Sequence, residues 1–412
     1  MSTTATTLSD TENAEPFAWY AAAREQAPIV WDEAARSWVA VSYESIREIC
    51  RLDGVAFRRK DAEGGSEYDV ISAGRRNVKI LTGDQHAALH RWMMSAFTPA
   101  RSSSLQESIV RDIVTRLLDR LVPKGSAELS SELFDRIPIR VIAAVLGLPA
   151  DDEDWIEQAT DKVNRIFNFY NRRGFYTPEL IEDARVAHVE MRALMDPILV
   201  ARSSGEGEDL ISRFFAAGPE VLEDWNIEDV YINVMSFFLG GAHTSTLALS
   251  SAFALLLTDQ ELMQRVRTAD DKTLRSFVEQ VLRLHPPVHY TQRRVLQDVE
   301  ITGVQLKRDD LVIIAMAAAN RDADHYGLPD GVDLDERRPN DHITFFAGPH
   351  ACVGQGLARA EMVETIRQTL ARVPEMRLDP SADPPSYGGL VFRGYTPLHV
   401  TFYRLSRNPE AC

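Results

Sequence analysis

The feature that most constrains this chain is an apolar run at residues 230–257, VYINVMSFFLGGAHTSTLALSSAFALLL, which contains no Asp, Glu, Lys or Arg. A helix that is apolar on every side must be surrounded, either by lipid or by other protein. The run is long enough to cross a bilayer. However, Asn233, the pair Gly240 and Gly241, His243 and the hydroxyls of Thr244, Ser245 and Thr246 interrupt it, and polar groups that face hydrocarbon go unsatisfied. The run therefore predicts a buried helix through the middle of a large soluble protein. A chain of 412 residues has room for the core that would wrap it.

Elsewhere most segments repeat apolar residues three and four apart, as in SLQESIVRDIVTRLLDRLV, ELIEDARVAHVEMRALMDPILVARSS and LRSFVEQVLRLHP, the spacing of one helix face. Strand patterns are few and short: a hairpin in PIVWDEAARSWVAVS, then VEITGVQLKRDDLVIIAM, then LHVTFYR. The expected architecture is mainly α with small β-sheets, in one unit over 16–412. A polar, acidic and disordered lead-in at 1–15 precedes it, with neither a signal-peptide pattern nor a lipidation motif. A formal charge of −16 argues against a nucleic-acid or anionic-membrane surface, since both are bound through excess Lys and Arg. Cys50, Cys352 and Cys412 are too few for a disulfide framework in a chain of this length, so a reducing cytoplasm is the expected location.

The strongest chemical signal is the loop FFAGPHACVGQGLARAE at 345–361. Cys352 stands just ahead of a predicted helix, where amide donors and the helix dipole favour a thiolate. Gly348, Gly354 and Gly356 let a bulky planar partner approach the backbone. A zinc site on His350 and Cys352 lacks a second Cys or His pair at metal spacing. The pattern Phe345, Gly348, His350, Cys352, Gly354, followed by LARAE, closely resembles the haem-binding signature of the cytochrome P-450 family, with Phe346 where bacterial members more often carry glycine. The resemblance runs from about residue 16 to 403 and takes in AANRDADHY and YGLPDGVDLDERRPNDHITFF. It implies the cytochrome P-450 fold, with haem b (iron protoporphyrin IX) between the long central helix and the Cys-loop helix, and Cys352 as the axial iron ligand.

The resemblance also implies roles residue by residue. His86, His90, Arg293 and His350 resemble the partners of the haem propionates, and Phe345, Gly348 and Gly354 belong to the cofactor cradle. His90 stands where an arginine is usual. In VEQVLRLHPP the family's ExxR pair reads QxxR, Gln280 with Arg283, joined in the family by a meander arginine that Arg337 or Arg338 resembles. Glutamine accepts a hydrogen bond but supplies no charge, and Glu279, at i,i+4 to Arg283, is the alternative partner. The motif AGx(D/E)T falls on Gly240, Gly241, Ala242, His243 and Thr244. The glycines are then expected to clear space over the iron, and Thr244 to help deliver protons to dioxygen as it is reduced. His243 replaces the acid, and three readings stay open: a modified proton relay, a substrate-anchoring histidine, or a packed side chain.

Segments resembling substrate-contact regions offer Phe167, Phe169, Phe237, Leu239, Gly240, Val288, His289, Val391 and Phe392, together with the loop at 68–80. They form an apolar and aromatic set suited to a medium-sized organic molecule. The string GQGLARA follows a cysteine loop rather than a strand, so it is no nucleotide fingerprint. Electrons are expected from a ferredoxin and its reductase, docked on a basic patch of Arg91, Arg101, Arg359 and Arg367. The expected function is a haem-thiolate monooxygenase that inserts one atom of O2 into an organic substrate. The alternatives are peroxide-driven or diverted haem-thiolate oxidation, and a haem-binding protein without turnover.

Overall fold

A computed structural model describes residues 7–8, 16–60, 76–171, 177–373 and 375–402. In it the apolar run forms two successive helices, Ile227–Ala242 and Thr244–Thr258, which meet at His243. Asn226 caps the first reciprocally: its side chain accepts the Glu228 N–H at 2.9 Å while Asp229 accepts the Asn226 N–H at 3.0 Å. The break has a local cause. Thr244 Oγ1 donates to the Gly240 carbonyl at 2.8 Å, and Thr246 Oγ1 lies 3.2 Å from the Ala242 carbonyl and 3.0 Å from that of Phe134. Hydroxyls that bond back to the i−4 carbonyl compete with the helical ladder and bend the helix.

The other polar groups in the run clamp neighbouring segments. Asn233 accepts the Val78 N–H at 3.3 Å and donates to the carbonyls of Arg76 at 3.2 Å and Asp229 at 2.8 Å. Ser250 accepts the Tyr395 N–H at 3.1 Å. A helix buried on all sides thereby keeps its polar side chains hydrogen-bonded. No helix among the described residues is long and apolar enough to cross a membrane.

The main sheet has five strands in the order Ile29–Asp32, Ser37–Ala40, Leu311–Ile314, Thr291–Val295, Phe57–Arg59. The first two are the expected hairpin, with Trp31 opposite Trp38. Ser37–Ala40 and Leu311–Ile314 run parallel, and the remaining pairs antiparallel. The register sets Arg59 directly across from Arg293, a like-charge pairing that repels unless an anion intervenes. Asp53 supplies that anion to Arg293, accepting from Nε and Nη2 at 2.8 Å each. The chain's last described strand, His399–Phe402, pairs with Ser126–Glu128 and Met376–Leu378. Tyr403, Arg404 and Cys412 lie outside the described residues, as does the lead-in except for Thr7 and Leu8.

Arg283 is buried and spends its donors on acceptors without formal charge. Nε and Nη2 reach Gln280 Oε1 at 3.2 and 2.9 Å, Nη1 reaches the carbonyls of Asn320 and Pro329 at 3.1 and 2.9 Å, and Nη2 those of Leu328 and Gly331 at 3.0 and 2.7 Å. Gln280 Oε1 also accepts the Asp333 N–H at 3.2 Å. Arg337 is exposed and does not join this lock, and Arg338 is exposed beside Asp341 at 3.6 Å. With no carboxylate at position 280, a meander arginine has no anion to meet there. Glu279 is not the substitute either. It holds Arg359 bidentately at 2.6 and 2.9 Å and lies 3.0 Å from His342 Nε2, which ties the Arg283 helix to the Cys-loop helix.

Candidate functional site

The cysteine loop has little freedom. Gly348 sits at φ 71, and a Cβ there would come within 2.3 Å of the Cys50 carbonyl oxygen, so only glycine fits. Phe346 sits at φ 60, a conformation disfavoured for bulky side chains, which explains why glycine is usual at this position. Its ring packs 4.7 Å from the Arg293 guanidinium carbon. The Cys352 N–H donates to the Phe345 carbonyl at 2.8 Å, and the amides of Gly354 and Gln355 favour the thiolate as the helix Gln355–Arg372 begins. Although Cys352 is open to the cavity, desolvation by the protein around it raises its pKa above its ordinary value, and these amides, Arg359 and Lys79 pull it back only in part. Position ahead of a helix therefore does not produce the thiolate on its own. A coordinated metal cation would.

Between this loop and the broken helix lies a cavity of about 400 Å³. Cys352, Gly354 and Leu357 line one side, and Gly240, Gly241, Thr244 and Ala248 the other. Arg293, Arg59, Lys79, His86, His90 and His350 gather along the lining as well. Burial pushes the Asp53 carboxyl up, but His350, with Nδ1 3.0 Å away, and the bidentate Arg293 outweigh it and hold the pKa at about 2. His86 packs between His350 and His90, at ring separations of 4.0 and 5.1 Å. Its Nε2 is buried without a partner, and burial, then His350 and His90, depress its pKa to about 4. His90 Nε2 donates to the Ala351 carbonyl at 2.8 Å, so it braces the residue before Cys352. His350 Nε2 donates to the Leu81 carbonyl at 3.2 Å.

A thiol facing an apolar cavity, with a cationic cluster and an orphaned ring nitrogen beside it, fits a flat apolar macrocycle carrying carboxylates and a thiolate-binding metal. Asp53 and Arg59 were not legible as site residues, and Lys79 only as part of the loop at 68–80. An isolated charged residue acquires this meaning only when strand register and loop packing bring it to the cavity.

On the opposite side, His243 is not among the lining residues. Its ring packs on Phe167 at 4.5 Å and 34°, and burial lowers its pKa to about 4. Ser245 does line the cavity, and with it Glu361, which sequence reasoning passed over inside the LARAE string. Glu361 is 2% exposed with Oε2 unpartnered. Burial pushes its pKa up to about 8, and a hydrogen bond from Ser245 offsets only part of that rise.

The two glycines differ. A Cβ at Gly240 would meet nothing within 4 Å, whereas one at Gly241 would press on Ile142 Cγ1 at 3.1 Å. Gly240→Ala is therefore expected to gain up to about 1 kcal/mol of stability from helix propensity, while weakening imidazole binding at the metal roughly tenfold by filling the groove. Gly241→Ala is expected to lose about 1–3 kcal/mol through overpacking. Thermal unfolding and imidazole titration separate the two.

Of the expected substrate contacts, Phe167, Phe237, Leu239, Gly240, Val288, Val391 and Phe392 line the cavity, as do Tyr170 and Met235. Phe169 does not. Two residues along a helix from Phe167 it faces the other way, into the core. His289 is also outside: next to Val288 in an extended segment it points to the opposite side, where Nε2 meets the Tyr387 hydroxyl at 2.6 Å. The loop at 68–80 contributes Asn77, Val78, Lys79 and Ile80, while 68–75 lies outside the described residues. Of the expected basic patch, Arg91 and Arg101 are exposed, Arg359 is held by Glu279, and Arg367 reaches Asp271 at 2.6 Å and Glu364 at 3.4 Å.

Fold and site together define a haem-thiolate type of protein. The family model "Cytochrome P450" matches residues 12–385, and the chain belongs to the cytochrome P450 family. It is 26% identical to "Biotin biosynthesis cytochrome P450" of Bacillus subtilis (strain 168), over 94% of this chain and 96% of the relative. To "20-oxo-5-O-mycaminosyltylactone 23-monooxygenase" of Streptomyces fradiae it is 27% identical, over 87% and 82%. Among solved structures, P450BioI in complex with hexadec-9Z-enoic acid ligated acyl carrier protein superposes with a TM-score of 0.84 at 24% identity, over 94% of this chain and 99% of that one. Membership makes the chain an oxygen-incorporating oxidoreductase and implies a haem-iron cofactor.

Proposed function

We propose that the chain is a haem b monooxygenase that inserts one atom of dioxygen into a medium-sized apolar or aromatic molecule, using electrons from a ferredoxin and its reductase. The observation that carries this reading is the Cys352 thiol lining one cavity with Gly240 and Thr244 of the broken helix. Haem bound through Cys352 supplies the reduction and cleavage of dioxygen. The residues of this chain do the rest.

His86, with Nε2 unpartnered, would hold a propionate beside Arg293 and His350, which Asp53 fixes in place, and Arg59 and Lys79 add positive charge where His90 replaces the usual arginine. Gly240 leaves space for a small ligand. The Thr244 hydroxyl hydrogen is engaged by the Gly240 carbonyl, so its oxygen is oriented to accept a hydrogen bond from a proton-carrying water. Burial keeps the Glu361 carboxylic acid protonated at neutral pH against the opposing hydrogen bond from Ser245, and a buried acid of this kind on the cavity lining is suited to holding a proton. His243, neutral and tilted against Phe167, backs the wall. Phe167, Phe237, Val288, Val391 and Phe392 bind apolar surface and exclude water. Arg91 and Arg101 are the cations offered to the electron donor.

The test uses heavy-oxygen-labelled dioxygen with a ferredoxin, its reductase and a compound that shifts the iron spin state. One labelled atom is expected in each product molecule. Product that forms only with hydrogen peroxide would replace this reading with the peroxide-driven one.

A further inference from the structure

Two segments far apart in sequence line the apolar end of the cavity. The helix Glu153–Asn171 contributes Phe167 and Tyr170, and the turn after Gly389 contributes Val391 and Phe392. Phe167 and Phe392 meet edge to face at 5.0 Å. Among the described residues, one atom carries three polar contacts between the segments. Asn171 Oδ1, on the last residue of the helix, accepts three consecutive backbone N–H groups, from Leu390 at 3.2 Å, Val391 at 3.1 Å and Phe392 at 3.0 Å. Such convergence needs a tight turn, and Gly389 provides it at φ 104, where a Cβ would lie 2.0 Å from the Phe392 carbonyl oxygen. Successive amides pointing into one concavity form a nest that favours an anion, and here a neutral amide oxygen occupies it.

The turn is anchored independently on its other side. The His289 N–H donates to the Val391 carbonyl at 2.9 Å, and the Arg393 N–H to the Pro287 carbonyl at 3.0 Å. Loss of the Asn171 contact would therefore release the helix end rather than the turn.

We propose that Asn171 is a positioning residue that latches the end of its helix onto the terminal turn, and so sets how readily an apolar or aromatic ligand passes Phe167 and Phe392. The proposal rests on reading the cavity as the haem and substrate site. It makes opposite predictions for two substitutions. Asn171→Ala removes the acceptor from three donors and opens the latch. Asn171→Asp places a carboxylate in the nest, where charge-assisted hydrogen bonds are stronger, and tightens it.

The experiment follows 4-phenylimidazole binding to the ferric holoprotein by stopped flow, through the Soret shift, with imidazole as a small control. Asn171→Ala is expected to speed both association and dissociation of 4-phenylimidazole by roughly tenfold, the effect of about one to two net hydrogen bonds, with imidazole rates changed less than twofold. Asn171→Asp is expected to slow both steps below wild type. Equal 4-phenylimidazole rates in all three proteins overturn the latch, as does an equal effect on imidazole. Should Asn171→Ala not fold, Asn171→Asp decides alone: slower supports the latch, unchanged or faster opposes it. A wild-type protein without a thiolate-type spectrum signals failure of the haem reading itself, which is a different result.

Discussion

Arg283→Ala is expected to leave no folded, haem-competent protein. The substitution takes the donor away from the carbonyls of Asn320, Leu328, Pro329 and Gly331 and from Gln280 Oε1. An orphaned buried acceptor costs about 1–3 kcal/mol, so several together reach the typical folding stability of about 5–15 kcal/mol. The segments that lose their anchor precede the cysteine loop directly, so the haem site goes with them. Arg283→Lys is expected to fare little better, because one ammonium cannot present a planar fork to acceptors on several sides. Soluble yield and thermal unfolding measure both. Gln280→Glu points the other way. Burial without a counter-ion lowers the Arg283 pKa, and a carboxylate at position 280 would turn a neutral bond into a charge-assisted one, with an expected gain of about 1 kcal/mol.

Cys352→Ser is expected to keep the fold and lose oxygen insertion to background. The loop is shaped by Gly348 against the Cys50 carbonyl, by the Cys352 N–H on the Phe345 carbonyl and by His90 on the Ala351 carbonyl. None of these uses sulfur, so the unfolding temperature should move little. Serine, however, does not ionise near neutral pH and gives the iron no anionic sulfur donor. Circular dichroism alongside labelled-oxygen product analysis checks both halves.

Much of the helical framework is visible in the sequence, because helical period and the cysteine loop are local signals. The break at His243 is less so. The two glycines mark the interruption, but the direction in which His243 points depends on Thr244 and Thr246 bonding back to the carbonyls of Gly240 and Ala242. The substrate wall divides in the same way. Phe167 and Phe169 are equivalent as aromatics, and only helix phase sends one to the cavity and the other to the core. Asp53, Glu361 and Asn171 were passed over because each is a single polar residue whose partner lies far along the chain: Arg293, Ser245 and the amides of 390–392. Long-range pairing of this kind leaves no periodic trace. Arg337 shows the converse. Its assignment relied on a carboxylate that this chain lacks, and the side chain is exposed.

The central claim is that Cys352 is the axial thiolate to haem iron in an oxygen-inserting enzyme. The most direct measurement is the absorption spectrum of the reduced wild-type holoprotein under carbon monoxide, at neutral pH. Wild type is expected to show the strongly red-shifted Soret band that an axial thiolate gives, and Cys352→Ser to lack it. A Soret band at the position given by a nitrogen or oxygen donor, or the same band in both proteins, would contradict it.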